Sequence, residues 1–198
     1  MKKLSVVVAL LNEEENISLL IEKTTEALRD IDHELILVDD GSKDRSVAVI
    51  RQHLKPHIKL IVLRKNYGQS AAMAAGIAAA EGKYVATMDA DLQNDPTDIP
   101  AMLDKMINEN WELVAGIRKN RQDKMLGRKI PSLIANKLIR SSTNVTLHDY
   151  GCTLKIFTND LAKNLDLYGD MHRFIPVLAA SQGASMTEME VKHHPRLY

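Results

Sequence analysis

The chain has 198 residues, enough to bury one substantial core, and its length predicts a single domain. Its 26 Lys+Arg balance 26 Asp+Glu, and only 4% of residues are aromatic. Without a global basic field or many stacking rings, nucleic acid is not an expected partner. The single cysteine, Cys152, excludes an internal disulfide and fits a reducing compartment.

Met1-Lys2-Lys3 leads straight into an apolar run, so no signal peptide is read, and no apolar stretch is long enough to span a bilayer. Leu4 to Leu10 reads as an apolar strand. Asn12 before Glu13-Glu14-Glu15 predicts an N-cap with acids in the first turn, and Ile17, Leu20, Ile21 and Leu28 then recur at helical spacing. Leu35 to Val38 is the second strand. Ser42 is placed to cap a helix burying Val47, Ile50 and Leu54, which breaks at Pro56. Ile58 to Leu63 is the third strand, and Ala71 to Ala80 a small-residue helix ended by Glu81-Gly82. Tyr84 to Met88 is the fourth strand. Pro96 opens a helix carrying Ile99, Met102, Leu103 and Met106, and Leu113 to Ile117 is the fifth strand.

Strands that are apolar throughout, separated by helices, predict a mostly parallel sheet covered on both faces. Right-handed crossovers make this a Rossmann-like doubly wound α/β core over residues 1 to about 118. Beyond it the pattern loosens. Arg118 to Arg128 reads as a basic loop and Ile130 to Ser141 as a helix with Leu133, Ile134 and Leu138 inward. Leu154 to Phe157 reads as a short strand, Phe174, Val177 and Leu178 as one helix face, and Ser185 to Val191 as a last strand.

In such a sheet, ligands bind beyond the carboxyl ends of the strands. Three polar clusters stand there: Asn12-Glu13, Asp39-Asp40-Gly41-Ser42 and Asp89-Ala90-Asp91. The first is equally well a helix start, and the second a capped turn. Two adjacent acids after an apolar strand repel one another, however, and a simple turn does not need them. Ala90 leaves Asp89 and Asp91 on one short segment, and Gln93 follows. This oxygen-rich set suits a hard divalent cation, Mg²⁺ or Mn²⁺, able to carry a nucleotide diphosphate.

The combination resembles glycosyltransferase family 2, the inverting GT-A enzymes. Asp39-Asp40-Gly41-Ser42-Lys43-Asp44 resembles the family's nucleoside motif, Asp89-Ala90-Asp91 its metal-binding DxD, and Asn66-Tyr67-Gly68-Gln69 with Gly76 its small-residue helix. Met88 to Pro96 and Asp149-Tyr150-Gly151-Cys152 resemble the polyprenyl-phosphate branch, the dolichol-phosphate mannosyltransferase-like and bactoprenol glucosyltransferase-like enzymes. The resemblance covers essentially the whole chain. It implies a GT-A domain with a nucleotide-binding part over about 1–118 and an acceptor-side part over about 119–198. Ala9 departs from the proline common in the family. Relatives continue past His193-His194-Pro195-Arg196 through a Gly-x-Ser-Lys-Tyr segment, commonly into membrane helices. The resemblance therefore implies that the sequence stops short of these and of a phosphate-contacting lysine.

The resemblance also implies roles. Ala9, Leu11, Glu13, Asp39 and Asp40 would frame the nucleoside of a UDP- or GDP-linked sugar, with Ala90 beside them. Asp89 would face the ribose or the metal, and Asp91 and Gln93 would hold the cation. Arg118, Arg173 and Arg196 match phosphate contacts. For Arg118 and Arg173 the alternative is a solvated surface charge. Asp149 is a base, an orienting carboxylate or an anchor for its own turn, and Gly151 serves backbone geometry. The acceptor implied is a polyprenyl phosphate (undecaprenyl or dolichyl) at the cytoplasmic face of a membrane. The basic stretch Arg118, Lys119, Arg121, Lys124, Arg128 and Lys129 either meets anionic headgroups or is a solvated loop. Ile130 to Ile134 sits at an interface or in the core. Adjacent His193 and His194 would point to opposite strand faces, which argues against a two-histidine metal site. Cys152 reads as a buried hydrophobe and the nine methionines as core filling. Two rivals remain open: a soluble family 2 enzyme acting on a saccharide or protein hydroxyl, and a non-catalytic receiver-like nucleotide-binding module. The latter predicts acids after strands one and three, whereas here they follow two and four. Homo-oligomerisation is also left open.

Overall fold

A computed structural model describes residues 3–118 and 147–197. The expected basic loop after Arg118 and the helix over 130–141 lie outside the described residues. The elements run β1 (Leu4–Leu10), α1 (Ile17–Ala27), β2 (His33–Asp39), α2 (Ser46–Gln52), β3 (Ile58–Val62), α3 (Gln69–Ala78) and β4 (Tyr84–Asp89). After a 3-10 turn at Pro96–Asp98 come α4 (Ile99–Glu109) and β5 (Leu113–Arg118). The second described segment gives β6 (Lys155–Thr158), α5 (Asn159–Lys163), a 3-10 turn at Met171–Phe174, α6 (Ile175–Ser181) and β7 (Met186–Val191).

The strands form one sheet in the order β3-β2-β1-β4-β6-β5-β7. All neighbours are parallel except β6, which runs antiparallel to both β4 and β5. The fold is therefore the mostly parallel α/β arrangement expected. The fifth strand does not lie beside the fourth, because β6 from the second segment is inserted between them. Its apolar Ile156 and Phe157, both fully buried, fit a central position. No described helix is long and apolar enough to cross a membrane.

Strand residues alternate between two cores. Val6 and Val8 pack with α1 and α4 through Leu20, Ile21, Met102 and Met106. Val7 packs on the other side with α3 and α6 through Met73, Ile77, Ile175 and Ala179. Gly76 lets α3 approach the sheet closely: a Cβ there would lie 2.3 Å from Val7 Cγ1 and 3.0 Å from Val38 Cγ2.

Four local readings need correction. Asn12 does not cap α1; it adopts φ 54 and the helix begins at Ile17, because residues 12–14 are drawn into bonds with the loop after β2. Ser42 does not cap α2 either, since its hydroxyl accepts the Asn12 amide at 2.8 Å and the helix starts only at Ser46. α2 ends at Gln52, which leaves Leu54 exposed and Ile50 as the buried anchor. In α6 the inward residues are Ile175, Pro176 and Ala179, while Phe174 is 38% exposed and Val177 and Leu178 are only half-buried.

Candidate active site

From β1 the sheet order grows outward through β2 and β3 on one side and begins with β4 on the other. That reversal makes the crevice at the carboxyl ends of β1 and β4 the expected ligand position. Ala9 and Asp89 are direct partners in the register there.

The loops after β1 and β2 are sewn together. Lys43 N donates to Asn12 Oδ1 at 2.8 Å, Glu13 N to Ser46 Oγ at 3.0 Å and Glu14 N to Asp44 Oδ2 at 3.2 Å. Asp39 turns back on its own loop, where Oδ2 accepts from Gly41 N and Ser42 N, both at 3.1 Å, while the buried Oδ1 takes no hydrogen bond. Gly41 is required at that turn. Its φ is +78, and a Cβ would stand 2.6 Å from the Lys65 backbone carbon. Asp40 braces the entry to α3, with Oδ1 accepting from Tyr67 N at 2.7 Å and Oδ2 from Gly68 N at 2.8 Å.

At the end of β4, Asp89 Oδ1 accepts from Gln69 Nε2 at 2.8 Å, and Oδ2 accepts from the Thr153 hydroxyl. Its amide donates to Asn94 Oδ1 at 3.1 Å. Leu92 at φ 62 bends the loop so that Gln93 N reaches Asp91 Oδ1 at 3.1 Å. Burial, and then the charge of Asp89, push the Asp91 carboxyl above its ordinary value, although Arg196, His193 and the Gln93 amide oppose this. A divalent cation would relieve this penalty, and the donors are hard oxygens. Among the described residues no three His, Cys, Asp or Glu side chains gather as a metal site. The two carboxylates of Asp89 and Asp91 suit a Mg²⁺-type ion, which takes one or two carboxylates and completes its shell with waters and substrate phosphates.

The chain's last described residues strap this loop. His194 N donates to Gln93 O at 2.9 Å, His193 bridges Asn94, and His194 Nε2 meets Asp95 Oδ2 at 3.0 Å. Arg196 Nη2 then reaches Glu13 Oε1 at 3.0 Å, joining the strap to the β1 loop.

Two of the cavities at this edge meet at the end of β4. The first, about 400 Å³, is lined by Ala9, Leu10, Leu11 and Glu13 from β1, by Asp40, by Asn66, Gly68 and Gln69, by Asp89, Ala90 and Asp91, and by Arg196. The second, about 300 Å³, shares Gln69 and Asp89 with it and adds Arg118, Tyr150 to Thr153, Lys155, His172 and Arg173. In the second, Arg118 is clamped by Asp149, Nε to Oδ2 at 2.7 Å and Nη2 to Oδ1 at 2.8 Å, with the side chains 13% and 15% exposed. Gly151 N also reaches Asp149 Oδ1 at 3.2 Å. Burial and the neighbouring Arg173 hold the His172 pKa below its usual value, and its Nδ1 lies 2.8 Å from Ser70 Oγ.

Ala9, Leu11, Glu13, Asp40, Asp89, Ala90, Asp91 and Arg196 thus gather around the first cavity, and Arg118 and Arg173 around the second. Asp39, Gln93 and Asp149 line neither. Asp39 folds onto its turn, the Gln93 side chain lies 3.4 Å from His194 O, and Asp149 stands behind Arg118. Sequence reasoning assigned no role to Gln69, Thr153, Lys155 or His172. Only Lys155 carries a signal, as a lysine inside the apolar run Leu154 to Phe157.

Comparison with known proteins gives the family and the fold. The model of the family "Glycosyl transferase family 2" matches residues 5–166. The dodecaprenyl-phosphate galacturonate synthase of Rhizobium johnstonii is 45% identical over 98% of this chain and 60% of its own length. The undecaprenyl-phosphate 4-deoxy-4-formamido-L-arabinose transferase of Photorhabdus laumondii is 38% identical over 98% of this chain and 61% of its own. The chain therefore spans about three-fifths of the length of these curated relatives. In fold it is similar to glucosyl-3-phosphoglycerate synthase from Mycobacterium tuberculosis, solved with Mn²⁺, UDP-glucose and phosphoglyceric acid. The TM-score is 0.77 at 18% identity, covering 98% of this chain and 72% of that one. On the family match and these relatives, the chain belongs to glycosyltransferase family 2.

Proposed function

We propose that this domain transfers a sugar, with inversion, from a UDP- or GDP-linked donor to a polyprenyl phosphate at the cytoplasmic face of a membrane. The observation that carries this reading is that Gln69 and Asp89 line both cavities, so a donor in the first presents its sugar to an acceptor in the second. The curated relatives named above, a dodecaprenyl-phosphate and an undecaprenyl-phosphate sugar transferase, support the acceptor class.

The nucleoside would lie along Ala9, Leu11 and Glu13, with Asp39 acting behind them by holding the turn at Gly41 and Ser42. Asp89 and Asp91 would hold Mg²⁺ or Mn²⁺ on the diphosphate, with Gln93 bracing their loop. Bound there, such an ion would supply Lewis-acid stabilisation of the charge that builds on the leaving nucleotide. Arg196 reaches the same rim and adds a cation for the phosphates.

Arg118 and Arg173 would seat the acceptor phosphate. One of its oxygens forms the bond to the anomeric carbon as the bond from that carbon to the diphosphate oxygen breaks, and the nucleoside diphosphate leaves. A phosphate is already ionised, so no strong base is needed. This fits an Asp149 whose carboxylate is engaged by Arg118 and orients it.

The test is transfer of label from radiolabelled UDP- and GDP-sugars to undecaprenyl phosphate with Mn²⁺ present. Label extractable into organic solvent is the expected result. Donor binding without any extractable product would overturn the acceptor assignment.

A further inference from the structure

The wall of the second cavity carries a charge that the described fold does not neutralise. Lys155 opens β6 between β4 and β5 and is 1% exposed. Its ammonium donates to the carbonyls of Cys152 and Tyr150, the latter at 3.5 Å. Among the described residues it forms no ion pair. The carboxylates whose field reaches it are engaged elsewhere: Asp89 by Gln69 and Thr153, and Asp149 by Arg118.

A buried ammonium without a counter-ion is costly, and burial accordingly pushes the Lys155 pKa down. A methionine would fill the same place without that cost. Arg118 and Arg173 line the same cavity, where Asp89 is the one carboxylate among the described lining residues. The cavity therefore has a surplus of positive charge around a buried lysine.

We infer that Lys155 is the counter-charge for an anionic group, a phosphate monoester or a sugar carboxylate, seated in the second cavity beside Asp89. The inference rests on the proposed function for the position of donor and acceptor, and it narrows the substrates. The phosphate monoester is the lipid acceptor's. The carboxylate belongs to a uronic acid carried by the donor. A neutral sugar facing a neutral acceptor would leave the ammonium unpaired.

The test compares the native chain with Lys155→Met and Lys155→Arg by calorimetric titration, using UDP with Mn²⁺, farnesyl phosphate, and UDP-galacturonate against UDP-galactose. Removing an uncompensated charge should leave the melting temperature of Lys155→Met unchanged or higher. Its affinity for UDP should be retained, while its affinity for one anion falls at least about tenfold and Lys155→Arg keeps most of it. Loss confined to farnesyl phosphate assigns the lysine to the acceptor. Loss confined to the preference for UDP-galacturonate over UDP-galactose assigns it to the sugar. A lower melting temperature with both anions bound as before would mark a purely structural lysine and overturn the inference, as would a native chain that binds neither anion. A native chain that fails to bind UDP, yet binds farnesyl phosphate in a Lys155-dependent way, would sink the donor reading and leave the inference standing.

Discussion

Gln69 Nε2 donates to Asp89 Oδ1 at 2.8 Å where the two cavities meet. Gln69 begins α3 and Asp89 ends β4, so one bond fixes this carboxylate against the start of the helix, where Gln69 lines both cavities. The bond also leaves Asp89 with both oxygens engaged, one here and one by Thr153, while Asp91 Oδ1 takes only the Gln93 amide. On the proposed function, this asymmetry would give Asp91 the larger share of cation binding.

Asp91→Asn should therefore separate stability from binding. The folded pKa of Asp91 is raised, chiefly by burial, so the folded state holds its proton more tightly than the unfolded chain does. Stability then falls as pH rises from the ordinary carboxylate value through the raised one, and at neutral pH the ionised group is a net cost. The ligand-free asparagine variant should melt no lower than the native chain at pH 7 and lose that pH dependence. Native protein with Mn²⁺ and UDP at about a hundred times Kd gains about 2.7 kcal/mol, and the variant should lose most of the metal-dependent part. A full metal-dependent shift in Asp91→Asn, read by thermal melting, would remove the residue from the cation site.

For Asp149 the expected role is to position Arg118. Asp149→Asn and Arg118→Gln should each raise the KM for the acceptor phosphate more than that for the donor. Their double mutant should show a coupling of about 1–3 kcal/mol in kcat/KM. The acidic limb of the pH–rate profile should survive in Asp149→Asn. Its disappearance would make Asp149 the general base instead.

Asp95 links the strap to the fold. Burial alone would raise its pKa, but the Thr97 hydroxyl and amide, His194 and Lys192 outweigh it and bring the carboxyl to about 2. Because the folded value lies below the unfolded one, this stabilisation is present above about pH 4 and is lost as pH falls towards 2. Asp95→Ala should cost roughly 1 kcal/mol at pH 7, as expected for a lost N-cap, and less at pH 2.5. Urea unfolding at the two pH values measures the difference. An equal loss at both would rule out the ionised cap.

Gly76→Ala should destabilise the fold by about 1–3 kcal/mol despite alanine's better helix propensity, because the new methyl meets Val7 in a closed core. Adding Val7→Ala should recover part of that loss, since the two changes share one space. Simple additivity in chemical denaturation would refute the close approach.

Most of the parallel core was legible because its strands are apolar on both faces. Leu35 to Val38 and Tyr84 to Met88 carry their own evidence. What escaped depended on distant partners. The helix start at Ile17 was misplaced because Asn12 and Ser42, each an ordinary cap, bond to one another across the sheet edge. The place of β6 was hidden because four residues cannot declare which neighbours they will pair with. Gln69 and Thr153 escaped for a related reason, as each acts only through Asp89, far along the chain. The acids after β2 and β4 were visible because charges at the end of an apolar strand are costly unless something uses them.

The insertion of β6 also bears on how the protein is made. Among the described residues, β5 pairs as a strand only with β6 and β7, and both are synthesised after it. While the ribosome extends the chain from Arg118 to Lys155, one flank of β4 stays open and β5 has no strand to join. At typical translation speeds that interval is on the order of seconds. During it the nascent chain presents an apolar edge, so its yield in a cell depends on how well that edge is shielded before β6 arrives.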